Sequence, residues 1–185
     1  MFHKLINPQL RNTLITDIAS LAGQQDNDDS TVEILTRPTP VPAHINALLI
    51  SLHMHPPRQA DFPSSVTVKG ITYTVASKHL GNSCVLVSTN KGGRPYPVQI
   101  QSILRVVIQD TIKTLFIVQR YTEASVSFDP YTRYPALCAK MWSRHPCEDL
   151  TVVTVDDIQA HFAACPITWR GSDATVVISL SREIN

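Results

Sequence analysis

From Ser65 onward, apolar and polar residues alternate with a period of two, which is the spacing of half-buried β-strands. The first pair of strands surrounds Lys69 and Gly70, and a two-residue link that contains glycine predicts a hairpin turn. The predicted strands after this hairpin cover residues 84–87, 97–108, 115–121, 151–154, 167–170 and 174–180. The alternation slips once within residues 97–108, which indicates a bent strand with a bulge. Short strands at this spacing predict a mainly β domain, a small SH3-like or partly open barrel.

Two short helical insertions are predicted to interrupt the strands. One spans residues 134–142 and begins near Pro135, because proline is favoured in the first turn of a helix. The other spans residues 155–163, where Asp156 and Asp157 place negative charge in the first turn, as the helix dipole favours. The prediction is therefore a β-rich α+β fold.

Helical spacing precedes the strands. Asn7 and Pro8 suit an N-cap and a first helical position, and Gly23 follows a stripe of leucine and isoleucine, so residues 8–22 are predicted to form an amphipathic helix. Six prolines then lie between residues 38 and 63, and a short apolar stripe of helical period begins just after Pro42. We predict a helical, Pro-rich N-terminal extension over residues 1–64 and a β-barrel interaction domain over residues 65–185.

Composition limits the classes of partner. The chain has 185 residues, of which 43% are hydrophobic and 17% charged, with a net charge of +1. The apolar content excludes wholesale disorder, and the balanced charge argues against binding to membranes or sequence-specific binding to nucleic acid. The sequence contains neither an apolar run long enough for a transmembrane helix nor a signal peptide, so we expect an intracellular protein, with the nucleus slightly favoured over the cytoplasm.

The order of segments after the hairpin carries a resemblance. After the hairpin come residues 82–87, a Gly-rich turn at residues 90–93, residues 97–103 with an x-Ile-x-x-Ile pattern, and residues 116–121 with an aromatic end. Two short motifs follow, Asp129-Pro130-Tyr131 and Asp156-Asp157-Ile158-Gln159-Ala160-His161. This order resembles the bromo-adjacent-homology (BAH) domain and its degenerate relatives, and the C-terminal β-domains of proteins from fungal transposon-like elements.

The resemblance implies a small barrel that docks to protein or chromatin, in a protein of transposon origin. Two positions depart from the usual pattern of the BAH domain. Pro97-Val98 stands where a glycine is usual, and Tyr121-Thr122 follows Arg120 where a proline is usual. These departures bear on partner recognition more than on the fold.

A group of cysteines and histidines near the C-terminus has the residue types of a zinc site. The group consists of Cys138, His145, Cys147, His161 and Cys165. It lacks the tight Cys-x-x-Cys pair of most zinc sites, so buried cysteines and ordinary histidines are the favoured interpretation and no cofactor is expected. If residues 155–163 were helical, His161 and Cys165 would lie one turn apart. The alternative function is a small hydrolase or zinc-dependent enzyme that uses this group.

Aromatic residues and one carboxylate follow the predicted strand 115–121. Phe128, Tyr131 and Tyr134 recur every three residues beside Asp129. Ring faces with one anchoring charge are what a methylated ammonium group requires, so these four residues are a candidate aromatic cage. The alternative is that the rings cover one end of the barrel. Together these features predict a non-enzymatic protein- or chromatin-interaction module, with a histone or nucleosome as the partner.

Overall fold

A seven-stranded antiparallel sheet is the framework of the computed structural model, which describes residues 37–88, 94–108, 111–124 and 129–180. In chain order the elements are β1 (Thr39–Pro40), α1 (Ala43–Ser51), β2 (Gln59–Ala60), β3 (Ser65–Val68), β4 (Ile71–Thr74), α2 (Leu80–Ser83), β5 (Cys84–Val87), β6 (Tyr96–Ile108), β7 (Thr111–Arg120), β8 (Ala139–Ser143), β9 (Leu150–Thr154), β10 (Ile158–Trp169) and β11 (Ser172–Ser179). Short 3-10 helices span Pro130–Arg133, Pro135–Leu137 and Val155–Asp157.

The strands of the large sheet lie in the order β8-β11-β10-β5-β6-β7-β9, while β1–β2 and β3–β4 form separate two-stranded sheets. The large sheet curls into a half-barrel, which confirms the predicted mainly β, partly open barrel. All described residues belong to one compact unit. The predicted helix over residues 8–22 and the predicted turn at residues 90–93 lie outside the described residues. Among the described helices, none is long and apolar enough to span a membrane.

The β3–β4 hairpin and the bulge of β6 confirm two predictions. Lys69 and Gly70 have φ angles of 51° and 76°, and two positive φ values at the turn match the right-handed twist of the flanking strands. In the β6–β7 ladder the register shifts between Ile100 and Ser102. After the shift, Ile103 packs on the same side as Ile100. The bulge therefore lets one long strand keep apolar residues on both faces of the sheet.

Two hydrophobic clusters lie on either side of the β6–β7 hairpin. The first surrounds Phe116 and includes Tyr73 of β4, whose ring centroid lies 5.3 Å from that of Phe116. In the second, Ile45 and Leu49 of α1 pack on β6 and β7. This helix begins after Pro42, as predicted, and the extended segment before it pairs with β2. Residues 41–62 are therefore packed against the sheet of the β domain.

Both predicted helical insertions are wrong. Residues 134–142 contain only the 3-10 helix Pro135–Leu137, after which the chain enters β8. Residues 155–163 begin with one 3-10 turn, in which Asp157 and Thr154 form a capping box, and then continue as β10. The acidic first turn was thus correctly recognised, but β10 pairs with both β5 and β11. Pairing of residues 158–161 with β5 and of residues 162–169 with β11 outweighs the helical preference of its alanines, because tertiary context overrides local propensity.

Substitutions at two neighbouring positions of α1 test how far the packing of this helix stabilises the domain. Leu49 is 1% exposed and Ile50 is 60% exposed. We expect Leu49→Ala to lower the free energy of unfolding by about 2–5 kcal/mol, because it leaves a cavity between α1 and the sheet. Ile50→Ala is the matched control and should change it by less than about 0.5 kcal/mol. Urea unfolding measures both, and equal effects of the two variants would contradict packing of α1 on the sheet.

Candidate interaction surfaces

The Asp129 carboxylate ties the predicted cage region to the sheet. One oxygen, Oδ1, accepts a hydrogen bond from the Tyr131 backbone N–H at 2.9 Å, which caps the first 3-10 helix. The other, Oδ2, accepts one from the Met141 backbone N–H of β8, also at 2.9 Å. Both oxygens of this side chain therefore hold backbone groups of the protein in place.

The two tyrosines of the candidate cage have different surroundings. Tyr131 is half-buried against Met141 and Val176, so it covers one part of the sheet. Tyr134 is 60% exposed, and Phe128 lies outside the described residues. The packing of Tyr131 agrees with the alternative that the rings cover the end of the barrel, and the cage itself stays a prediction.

Separate alanine substitutions distinguish these roles. Tyr131→Ala should lower the free energy of unfolding by roughly 1–3 kcal/mol, because its ring packs on β8 and β11. Tyr134→Ala should change it by less than about 0.5 kcal/mol. Thermal unfolding measures the difference. Titration with a trimethyl-lysine histone peptide then tests the cage: binding that Tyr134→Ala leaves unchanged would remove Tyr134 from any such site.

The five residues of the predicted metal cluster are spread over several elements. Cys138 precedes β8 in a left-handed conformation with φ 47°, and His145 is exposed in the loop after β8. The Cys147 thiol lies 3.9 Å from the carbonyl oxygen of Asp149. Within the described ranges, no group of three His, Cys, Asp or Glu side chains could hold a metal ion, and no hydrogen bond joins a cysteine thiol to a histidine ring. Metal analysis of the purified protein remains the direct test for zinc.

His161 and Cys165 lie on one β-strand rather than on one helical turn. At the usual rise of a strand, four residues place them roughly 13 Å apart, so the geometry that favoured this pair as ligands is absent. The His161 ring stacks on Tyr73, with ring centroids 5.2 Å apart and planes at 28°. Burial lowers the pKa of His161, and a hydrogen bond to the backbone of Asn82 partly opposes this. The imidazole is therefore held in its neutral form.

The depressed pKa of His161 makes stability depend on pH. The unfolded chain binds a proton near the usual histidine pKa of about 6.5, whereas the folded protein binds it only at lower pH. The stability that the neutral ring contributes should be complete above pH 6.5 and should fall as the pH is lowered through 6.5 to the folded pKa. His161→Phe should show a smaller fall than the wild type in urea unfolding at pH 7.5 and 5. The same fall in both proteins would refute this assignment.

The two edges of the large sheet differ in how far the chain covers them. Along β8, the Met141 N–H is bound by Asp129, and the Ser143 N–H donates to the carbonyl of Thr122 at 2.8 Å. Glu123 and Trp142 add a β-bridge on the same edge. At the other edge, β9 pairs with β7 alone among the described residues. Of the two outermost strands of the large sheet, β9 is therefore the one with less cover among the described residues.

Hydrogen bonding at the end of β9 shows which of its backbone groups face outward. The Thr154 N–H donates to Oδ2 of Asp157 at 2.7 Å, so it points away from β7. Residues of an antiparallel strand alternate between facing the partner strand and facing away from it. The N–H and C=O groups of Val152 and Leu150 therefore point to the open side, and those of Thr151 and Val153 join the ladder with β7.

A cleft of about 440 Å³ adjoins the first residues of β9. Its lining residues are Tyr96, Arg120, Thr122, Glu123, Cys147, Asp149, Leu150 and Thr151. The Arg120 guanidinium lies over the Tyr96 ring, 4.2 Å from its centroid. Of these residues only Cys147 was predicted as a site residue, in the candidate metal cluster, and the cleft itself was not predicted because it combines segments that are distant in sequence.

Comparison of the chain with protein-family models, with curated proteins and with solved structures finds no match.

Proposed function

We propose that this chain is a non-enzymatic protein-interaction module of the BAH-like, transposon-derived type, and that it docks to a histone or a nucleosome in the nucleus. The observation that carries the proposal is the contrast between the two sheet edges. Exposed strand edges are templates for pairing with another chain, and proteins usually cover them. Among the described residues, several cover the outer side of β8, whereas β9 pairs with β7 alone.

An extended segment of a partner suits such an edge. Strand addition gives affinity through main-chain hydrogen bonds, and a neighbouring pocket gives specificity through a side chain. β9 presents the outward backbone groups of Leu150 and Val152, and the cleft beside Thr151 provides the pocket. Histone tails are extended and unstructured before binding, so they can add to a strand edge without losing structure of their own. The BAH resemblance supports the same partner.

A pair of substitutions at one position tests this function. Val152→Pro removes the outward N–H of β9 while leaving the ladder with β7 intact, since proline is tolerated on an edge strand. We expect it to weaken binding to reconstituted mononucleosomes and to histone tail peptides about tenfold, because a strand hydrogen bond is lost and the proline ring obstructs the edge. Biolayer interferometry with the immobilised full chain measures the affinity.

Val152→Ala is the matched control, because it shortens the same side chain and keeps the N–H. It should bind within about threefold of the wild type, provided that circular dichroism shows both variants folded. If the wild type binds neither nucleosomes nor histone peptides, the proposed chromatin function is wrong. If Val152→Pro binds as tightly as the wild type, the open edge is not the docking surface.

A further inference from the structure

Three exposed carboxylates flank the open edge of β9. Glu148 and Asp149 precede the strand, and Asp156 follows it. Within the described part of the chain, none of these three carboxylates accepts a hydrogen bond or makes an ion pair. The strand between them is uncharged, with the sequence Leu-Thr-Val-Val-Thr. The open edge is therefore an uncharged strand with negative charge at both of its ends.

Some cations lie close to this edge. Arg120 packs over Tyr96 and lines the same cleft as Asp149, so it partly balances the negative charge at that end. Lys140 pairs with Glu123 at 2.7 Å. Lys69 lines a small cavity together with Asp156, so the negative charge is partly balanced at that end. Arg94 contributes to the lowered pKa of Glu123 and so lies on the Glu123 side of the cleft. The edge therefore has three carboxylates against two nearby cations, Arg120 at one end and Lys69 at the other.

A second copy of the chain is a poor occupant of this edge. Antiparallel pairing of two β9 strands about Val152 would place Glu148 of one copy opposite Asp156 of the other, and like charges directly opposite are destabilising. Charged residues beside an edge strand are a known device against self-association. The same charges attract a partner that carries cations at those positions.

We infer that β9 binds an extended basic segment of a partner protein, with a short uncharged centre and lysine or arginine at both ends. The centre pairs with the outward backbone groups of Leu150 and Val152. The flanking cations lie beside the carboxylates of Glu148 and Asp149 at one end and of Asp156 at the other. The inference rests on the proposed function and adds the chemistry of the partner.

Three fluorescein-labelled peptides test this inference. Each has a centre of alternating threonine and valine, and two residues at each end that are lysine, serine or glutamate. Fluorescence anisotropy with the full chain should show the lysine peptide binding about tenfold tighter than the serine peptide, with the glutamate peptide weakest. The preference for lysine should decrease as the salt concentration is raised, because exposed ion pairs are screened.

Substitutions distinguish binding through the carboxylates from binding through the backbone groups of β9. The double variant Glu148→Gln with Asp149→Asn should bind the lysine peptide about fivefold more weakly while leaving the serine peptide unchanged. Asp173→Asn is the control, because it removes a carboxylate from β11, away from β9. Val152→Pro should weaken binding of all three peptides, and Val152→Ala should not.

The outcomes distinguish this inference from the proposed function. Serine and lysine peptides of equal affinity would overturn the basic partner and leave the interaction module intact. Lysine-peptide binding that Val152→Pro does not alter would overturn binding at the edge. Nucleosome binding without peptide binding would overturn the inference alone, whereas the absence of both would also remove the proposed function.

Discussion

Backbone hydrogen bonding at the edges of the sheet is the constraint on which this structure depends. An open antiparallel sheet leaves N–H and C=O groups along two outer strands, and these groups need a partner or water. At β8 the partner is the chain itself, through Thr122, Glu123 and the Asp129 carboxylate. At β9, within the described ranges, a side chain satisfies the outward backbone only at Thr154, through the capping box with Asp157. In this part of the chain the cover over β8 is therefore more complete than the cover over β9.

The packing of the sheet follows from the long β6–β7 hairpin at its centre. Because the bulge after Ile100 changes the register once, β6 supplies apolar side chains to both faces. The β3–β4 hairpin covers one face through Tyr73, and α1 covers the other through Leu49. Each cover comes from a segment that precedes β6 in sequence. The described part of the Pro-rich segment is consequently packed on the β domain, a point that sequence composition left open.

The sequence predicted the elements whose signals are local. The turn at Lys69 and Gly70, the helix after Pro42 and the bulge of β6 each depend on a few neighbouring residues, and all three are confirmed. The predicted helices at residues 134–142 and 155–163 failed because their conformation is set by distant strands. β8 pairs with β11, and β10 pairs with β5 and β11, which a short window of sequence does not contain. For the same reason the sequence suggested His161 and Cys165 as ligands one helical turn apart, whereas both lie on the strand β10.

The candidate surfaces show that a short motif can be misinterpreted when its place in the fold is unknown. Asp129 and Asp157 belong to the two short motifs behind the BAH resemblance, and both carboxylates bind backbone N–H groups of the protein itself. These motif residues therefore support the fold, and they carry little information about a ligand. The open edge, in contrast, had no visible motif, because which strand lies outermost depends on the order β8-β11-β10-β5-β6-β7-β9 and not on adjacent residues. Once that order is known, the carboxylates on either side of β9 can be interpreted: they lie at the two ends of an outermost strand that pairs with β7 on one side.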